Sequence, residues 1–291
     1  MSVVESQVVL KPHEIIEEAI NQGAKKFVPL FSGGKDSTVI NDFMYKNYPD
    51  MIHKSVYTVT GVGLKESRKF AVDEAERKGW DLEFTWSGFN FDEFLIKYGF
   101  VGVMLHSNVM FKLKFKSWRE YEKRNRDKGI WFVSGVRRKE SKKRNVKTNK
   151  NTQYKTPWTH DGKTKFVKPF FYNTAFDNWD YIAKNDCRVT PVFDILSTSG
   201  DCGCGCYGET EELFIYKKHF PYFYDWIKYI EKQIQIRGSP MAKKYPVWSS
   251  GKNRMSTKDV DSQTLLDDYS QGNEFLGDDL CQESCSFVKN T

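Results

Sequence analysis

The stretch that decides the fold is Lys26-Phe27-Val28-Pro29-Leu30-Phe31-Ser32-Gly33-Gly34-Lys35-Asp36-Ser37. Its first half reads as a short buried strand over Lys26 to Phe31. Its second half is a polar, glycine-rich turn, and from Ser37 to Lys46 helical spacing resumes with Val39, Ile40, Phe43 and Met44. A strand running through paired glycines into a helix N-terminus suits an anion. The glycines let backbone N–H groups approach phosphate oxygens, and the helix adds its positive dipole end. Lys35 supplies a point charge, Ser32 and Ser37 supply hydroxyls, and Asp36 is placed to hold Mg²⁺. The competing interpretation is a plain polar turn. The Walker spacing of four residues between Gly and Gly-Lys-Ser is absent, so a P-loop NTPase is excluded.

Working outward, Ile15, Ile16, Ala19 and Ile20 mark a helix around His13 to Asn21. Ser55 to Val59 and Leu82 to Thr85 read as strands, and Leu64 to Lys78 and Phe91 to Tyr98 as helices, with Gly79 as a left-handed stop. Tyr121 to Asp127 reads as a helix and Ile130 to Ser134 as a strand. Strand alternating with helix predicts an α/β fold: a Rossmann-like parallel sheet with helices on both faces, its ligand beyond the carboxyl ends of the strands. Asn145 to Lys165 is polar and aperiodic and reads as a loop. Glu209 to Phe220 and Tyr222 to Ile236 read as C-terminal helices. The expected division is a nucleotide-binding domain over 1–208 including a Cys-rich metal segment, helices over 209–237, and an acidic, weakly structured tail over 238–291.

Composition agrees with a packed domain. Of 291 residues, 39% are hydrophobic and 15% aromatic, which sets global disorder aside. No apolar run is long enough to span a membrane, and Met1-Ser2-Val3-Val4-Glu5 lacks the basic and apolar regions of a signal peptide, so a cytoplasmic protein is expected. The net charge of +7 is uneven. Lys112 to Lys150 is dense in Lys and Arg, fit for bound phosphates, a nucleic-acid substrate or simply a solvated helical face. The tail carries Asp259, Asp261, Asp267, Asp268, Asp278 and Asp279.

Gly135-Val136-Arg137-Arg138-Lys139-Glu140-Ser141-Lys142-Lys143-Arg144 follows the strand at Ile130. Arg137 and Arg144 offer planar forks for phosphate or sulfate, and Glu140 can orient an arginine or a ribose hydroxyl. Four cysteines, Cys187, Cys202, Cys204 and Cys206, crowd into about twenty residues. This reads as a metal or redox site in a reducing compartment rather than a disulfide framework. Unligated buried cysteines are the plainer alternative.

Together these motifs resemble the PP-loop ATP pyrophosphatases (adenine nucleotide alpha-hydrolase type) and, within them, the phosphoadenosine phosphosulfate (PAPS) reductase-like group. Ser32 to Ser37 matches the group's Ser-Gly-Gly-Lys-Asp-Ser loop, and Gly135 to Arg144 its Gly-x-Arg-x-x-Glu-Ser-x-x-Arg signature. Thr60-Gly61 with Glu66 resembles the segment that shapes the nucleotide pocket. Phe176 to Tyr181 and Pro191-Val192-Phe193-Asp194 resemble the region leading into the group's cysteines. The resemblance covers Phe27 to Tyr207.

It implies Lys35, Asp36, Arg137 and Arg144 as catalytic residues. Ser32, Gly33, Gly34, Ser37, Thr60, Gly61, Gly135, Glu140 and Ser141 would bind the nucleotide. It implies ATP and Mg²⁺, with cleavage of ATP between the α and β phosphates. Cys187, Cys202, Cys204 and Cys206 would hold a [4Fe–4S] cluster, with Zn²⁺ as the competitor, although Cys-x-Cys-x-Cys departs from the group's Cys-x-x-Cys.

Three readings follow. The first is adenylation for sulfur transfer, with a sulfur-donor protein as partner and oligomerisation left open. The second is a sulfonucleotide reductase, for which the terminal Cys281 and Cys285 lack the group's glycine and histidine context. The third is a non-catalytic nucleotide- or nucleic-acid-binding module with structural zinc.

Overall fold

The computed structural model describes residues 9–138, 156–161 and 164–253. Two compact units share the chain. The first takes the segments up to Thr58, Glu66–Thr85 and Trp118–Phe193. The second takes Val59–Lys65, Trp86–Ser117 and the chain from Asp194 onward.

Sheet pairing organises the first unit. Strands β1 (Lys26–Pro29), β2 (Ser55–Val59), β3 (Leu82–Trp86), β4 (Ile130–Val133), β5 (Trp158–Asp161) and β6 (Thr164–Val167) are short. One sheet has the order β1-β4-β6-β5, and β2 and β3 form a second pair. β1 and β4 run parallel with Phe27 opposite Trp131, and β4 and β6 run parallel with Phe132 opposite Phe166. Isolated parallel bridges, Phe27 to Ile52 and Leu30 to Val56, link β1 towards β2.

The helices are α1 (Pro12–Asn21), α2 (Lys35–Asn47), α3 (Lys65–Lys78), α4 (Phe91–Tyr98), α5 (His106–Met110) and α6 (Lys116–Arg124). They continue as α7 (Ala175–Lys184), α8 (Val192–Leu196), α9 (Glu212–His219) and α10 (Pro221–Arg237). Strand residues alternate between two faces. Phe27, Trp131, Val133 and Val167 join Ile15 and Ile16 of α1, Val39, Ile40 and Phe43 of α2, and Ile182 of α7 in one core. Phe132 and Phe166 instead meet Trp118, and Phe132 also meets Tyr121, both on α6. Helices therefore cover both sides, as the alternating pattern predicts.

Two expectations need correction. The sheet is not wholly parallel, because β5 pairs antiparallel with β6, Trp158 opposite Val167. β5 and the first two residues of β6 lie inside the Asn145 to Lys165 stretch expected to be a loop. The helix expected from Tyr121 begins earlier, at Lys116, and is preceded by α5 and a π-helical turn at Phe111–Phe115.

In the second unit, α10 packs on α4 and α9. Trp226 donates its indole N–H to Asp92 at 3.0 Å, and Arg237 grips Glu93 through Nη2 at 2.9 Å and Nη1 at 3.2 Å. Beyond Gly238 the described chain forms 3-10 turns at Ala242–Lys244 and Ser250–Asn253. Among the described residues, no helix is long and apolar enough to cross a membrane.

Candidate functional site

The parallel strands deliver their functional groups where they end. β1 runs into Ser32–Lys35, β4 into Gly135–Arg137, and β6 into Lys168. All three lie at carboxyl ends, the edge at which open α/β sheets bind ligands.

The glycine loop is held from within. Gly33 has φ +74°, a conformation open to glycine, and a Cβ there would stand 3.0 Å from the Phe70 ring. Its carbonyl accepts the Thr190 N–H at 2.9 Å. Ser37 Oγ donates to the Gly34 carbonyl at 2.8 Å, lies 3.0 Å from Ser32 Oγ, and accepts the Ser32 N–H at 3.2 Å. Gly34 is the N-cap residue of α2 and offers no side chain to the helix end. The first-turn N–H groups of α2 therefore have no side-chain cap, the arrangement of an anion seat.

Charge converges one residue further on. The Asp36 carboxylate accepts Lys35 Nζ at 2.6 Å, Arg137 Nε at 3.0 Å and Asn178 Nδ2 at 2.7 Å on Oδ1, and Arg137 Nη2 at 3.3 Å on Oδ2. Lys35 and Arg137 are only 8% and 6% exposed, so these pairs sit largely out of water. Burial pushes the Asp36 carboxyl up, but Lys35 and Arg137 outweigh it and hold it below its ordinary value. Gly135 is required for the close approach: a Cβ there would stand 2.9 Å from the Asp36 carbonyl carbon.

The chemistry expected of Asp36 changes accordingly. A carboxylate already receiving two cations and an amide does not fit a metal ligand, so no step is derived through Mg²⁺.

Asn178 was not foreseen from the sequence. It lies on α7, whose start is fixed by a capping box: Asp177 N–H donates to Thr174 Oγ1 at 3.2 Å, and Thr174 N–H to Asp177 Oδ2 at 2.6 Å. Asn178 is 1% exposed and accepts Asn173 Nδ2 at 3.0 Å while donating to Asp36. Lys168, 2% exposed, is a second buried cation at a strand end, with Nζ 2.8 Å from the Thr156 carbonyl.

The family model of the phosphoadenosine phosphosulfate reductase domain matches residues 26–212. The chain belongs to this family. It is therefore a member of the PP-loop, PAPS-reductase-like enzymes, with an adenine-nucleotide-binding α/β fold. Among solved structures it is similar to the phosphoadenylyl-sulfate (PAPS) reductase from Candida auris, at 16% identity over 65% of this chain and 86% of that chain, with TM-score 0.44. The NH3-dependent NAD synthetase from Campylobacter jejuni is similar at 13% identity over 78% and 91%, TM-score 0.43. Candida glabrata FMN adenylyltransferase is similar at 10% identity over 63% of this chain and 58% of that one, TM-score 0.44. No curated protein matches the chain.

Thr60 and Gly61 belong to the second unit, where Thr60 Oγ1 donates to the Asp201 carbonyl at 2.9 Å. Glu140, Ser141 and Arg144 lie outside the described residues, as do Cys281 and Cys285.

The expected metal set of Cys187, Cys202, Cys204 and Cys206 is divided between the two units. Cys187 belongs to the first unit, packs on its apolar core and donates its thiol to the Asn185 carbonyl at 3.6 Å. Burial, with Asp42 nearby, pushes that thiol up to about 11. Cys202, Cys204 and Cys206 belong to the second unit, where their thiols hydrogen-bond to one another. The hydrogen bond to Cys204 and burial raise Cys202 well above the ordinary thiol range. Among the described residues, no group of three or more His, Cys, Asp or Glu side chains is arranged to hold a metal ion. The arrangement therefore lends no support to the expected [4Fe–4S] cluster or to Zn²⁺. The charged partner beside them is Lys114, ion-paired with Asp201, whose other oxygen accepts Ser199 Oγ at 2.6 Å.

Proposed function

We propose that Ser32–Ser37 seats the anionic end of an adenine nucleotide, and that the chain acts as a sulfonucleotide reductase on adenylyl sulfate or its 3′-phosphorylated form. The observation that carries this reading is the convergence of Lys35 and Arg137 on a single anionic group at the mouth of the glycine loop. In this reading the two buried cations beside Asp36 also stabilise sulfate or phosphate oxygens, Arg137 through its planar fork and Lys35 as a point charge. Membership of the PAPS-reductase family over residues 26–212 supports the same substrate class.

In this reading a thiolate attacks the sulfate sulfur and breaks its bond to the adenosine phosphate, which leaves. A second thiol then displaces sulfite, and the two thiols end as a disulfide. Lys35 and Arg137 stabilise the charge that gathers on the departing phosphate.

A second reading is ATP cleavage between the α and β phosphates to activate an acceptor. It is favoured by the intact Ser-Gly-Gly-Lys-Asp-Ser loop with its buried Lys35. A nucleic-acid acceptor held by the Lys112 to Lys150 stretch and a sulfur-donor protein belong to that reading. The cysteine geometry lends it no cluster.

The deciding experiment incubates the full chain with each nucleotide in turn, with a dithiol reductant present, and measures sulfite and pyrophosphate. Sulfite from a sulfonucleotide supports the reductase. Pyrophosphate from ATP, with no sulfite from either sulfonucleotide, replaces it with the second reading.

A further inference from the structure

Helices α2 and α7 pack against each other and are joined by side chains at three levels. Lys46 donates to Asn185 Oδ1 at 2.9 Å, the Tyr181 hydroxyl donates to Asp42 Oδ2 at 2.9 Å, and Asn178 donates to Asp36 Oδ1 at 2.7 Å. The first two fasten the bodies of the helices, and Asp42 is held further by Lys46 and Lys78. The third differs in place and company. It meets α2 in its first turn, on the carboxylate that Lys35 and Arg137 share.

Chemistry fixes the direction of this contact. An ionised carboxylate only accepts, so Asn178 turns its amide N–H₂ towards Asp36 and its carbonyl away. Asn173 Nδ2 donates to that carbonyl at 3.0 Å and holds the amide in its donating orientation. Asn173 is itself anchored, its backbone N–H donating to the Phe170 carbonyl at 3.1 Å. A relay therefore runs from the β6–α7 connection through Asn173 and the 1%-exposed Asn178 to Asp36, and Asp36 sets the Arg137 fork. Lys35 and Arg137 against Asp36 leave these three groups with a net positive charge, which a neutral asparagine fixes in place without altering.

We propose that Asn178 is a positioning residue of the anion seat: oriented by Asn173, it holds the Asp36 carboxylate so that Lys35 and Arg137 are aligned before an anionic ligand arrives. Asn178 itself does not touch the ligand. The inference rests on the nucleotide-binding reading of Ser32–Ser37 and is independent of which reaction follows. Alignment in advance means that the cations need not reorganise when charge is placed on them. The lower two contacts keep α2 and α7 together without Asn178, so its replacement leaves a folded protein to measure.

The test titrates adenylyl sulfate into the full chain by calorimetry at about pH 8 and about pH 5, and ATP at about pH 8. Circular dichroism and melting temperature are recorded under each condition. Adenylyl sulfate suits the comparison because its phosphate and sulfate stay ionised throughout. Asn178→Val nearly keeps the volume and removes the donor. Relative to wild type at the same pH, it should bind about tenfold more weakly at both values. Asn178→Asp sets a second carboxylate against Asp36 at about pH 8, and binding should fall there too. The introduced carboxyl faces Asp36, with Lys35 and Arg137 behind it, and burial and Asp36 raise its pKa. At about pH 5 it takes up a proton, donates to Asp36 again, and affinity should return towards the wild-type value.

Wild-type affinity in Asn178→Val overturns the proposal and leaves the loop assignment intact, whatever Asn178→Asp does. Losses that follow the unfolded fraction of each variant make Asn178 structural and overturn it as well. So does a loss in folded Asn178→Asp that persists at about pH 5. If wild-type protein binds neither nucleotide, the loop reading fails and this inference fails with it.

Discussion

Arg137 and Asp36 meet fork to fork: Nε lies 3.0 Å from Oδ1, and Nη2 lies 3.3 Å from Oδ2. The pair joins the end of β4 to the first turn of α2, and so ties the two sequence motifs into one site. An Arg–carboxylate pair of this kind is geometrically specific, and lysine cannot reproduce it. Arg137→Lys should therefore retain the fold but lower turnover by about a hundredfold. Steady-state kinetics on the folded variant checks this, and near wild-type turnover would remove Arg137 from the site.

Asn178 holds the same carboxylate from α7. Asn178→Ala deletes a buried donor to Asp36 and strands the Asn173 amide, so it should destabilise the fold by about 1–3 kcal/mol. Urea unfolding measures the loss. Asn178→Asp should be worse at neutral pH than at pH 4, because it sets a second carboxylate against Asp36.

The depressed pKa of Asp36 gives stability a definite pH dependence. A carboxyl whose folded pKa lies below its unfolded value near 3.8 contributes stability that is fully present above that value. The contribution is lost as pH falls through the lower, folded pKa. Burial raises this carboxyl, and Lys35 and Arg137 more than reverse it. Arg137→Gln should therefore flatten the acid limb of the stability curve below pH 4, measured as urea midpoints between pH 3 and 7. An acid limb identical to wild type would show that the pair does not set it.

Much of this was legible in the sequence, for local reasons. Ser55 to Val59 and Phe91 to Tyr98 match β2 and α4 end to end: a β-branched and aromatic run sets the strand, and the Asn90 cap and Gly99 bound the helix. The glycine loop was legible because two glycines between a strand and a helix have few other uses. The β5–β6 hairpin was missed under a polar composition of Thr, Lys and His. The signal was present: Trp158 to Asp161 and Thr164 to Val167 flank a two-residue Gly162-Lys163 connection, a short-hairpin pattern. Asn178 could not be seen. A single asparagine in an amphipathic helix carries no mark of a partner 142 positions earlier in the chain. The cysteine reading rested on sequence proximity, which says nothing about which unit a residue joins: Cys187 is part of the first unit and Cys202, Cys204 and Cys206 of the second.

The Lys114–Asp201 pair in the second unit tests how that region is held. Both side chains are largely buried, and Asp201 Oδ1 also accepts Ser199 Oγ. Lys114→Met leaves Asp201 as an uncompensated buried charge and should cost about 3–5 kcal/mol. Adding Asp201→Leu should recover much of it, which a double-mutant cycle by urea unfolding would reveal. Equal stability of Lys114→Met and wild type would mean that the pair contributes nothing to the fold.

The most direct test of the central claim is calorimetric titration of adenylyl sulfate and ATP into wild type and Lys35→Ala, with circular dichroism confirming that both are folded. The account predicts nucleotide binding by wild type and its loss, by at least about a hundredfold, in Lys35→Ala. Equal affinity in the two proteins would place the nucleotide elsewhere and contradict the assignment of the Ser32–Ser37 loop.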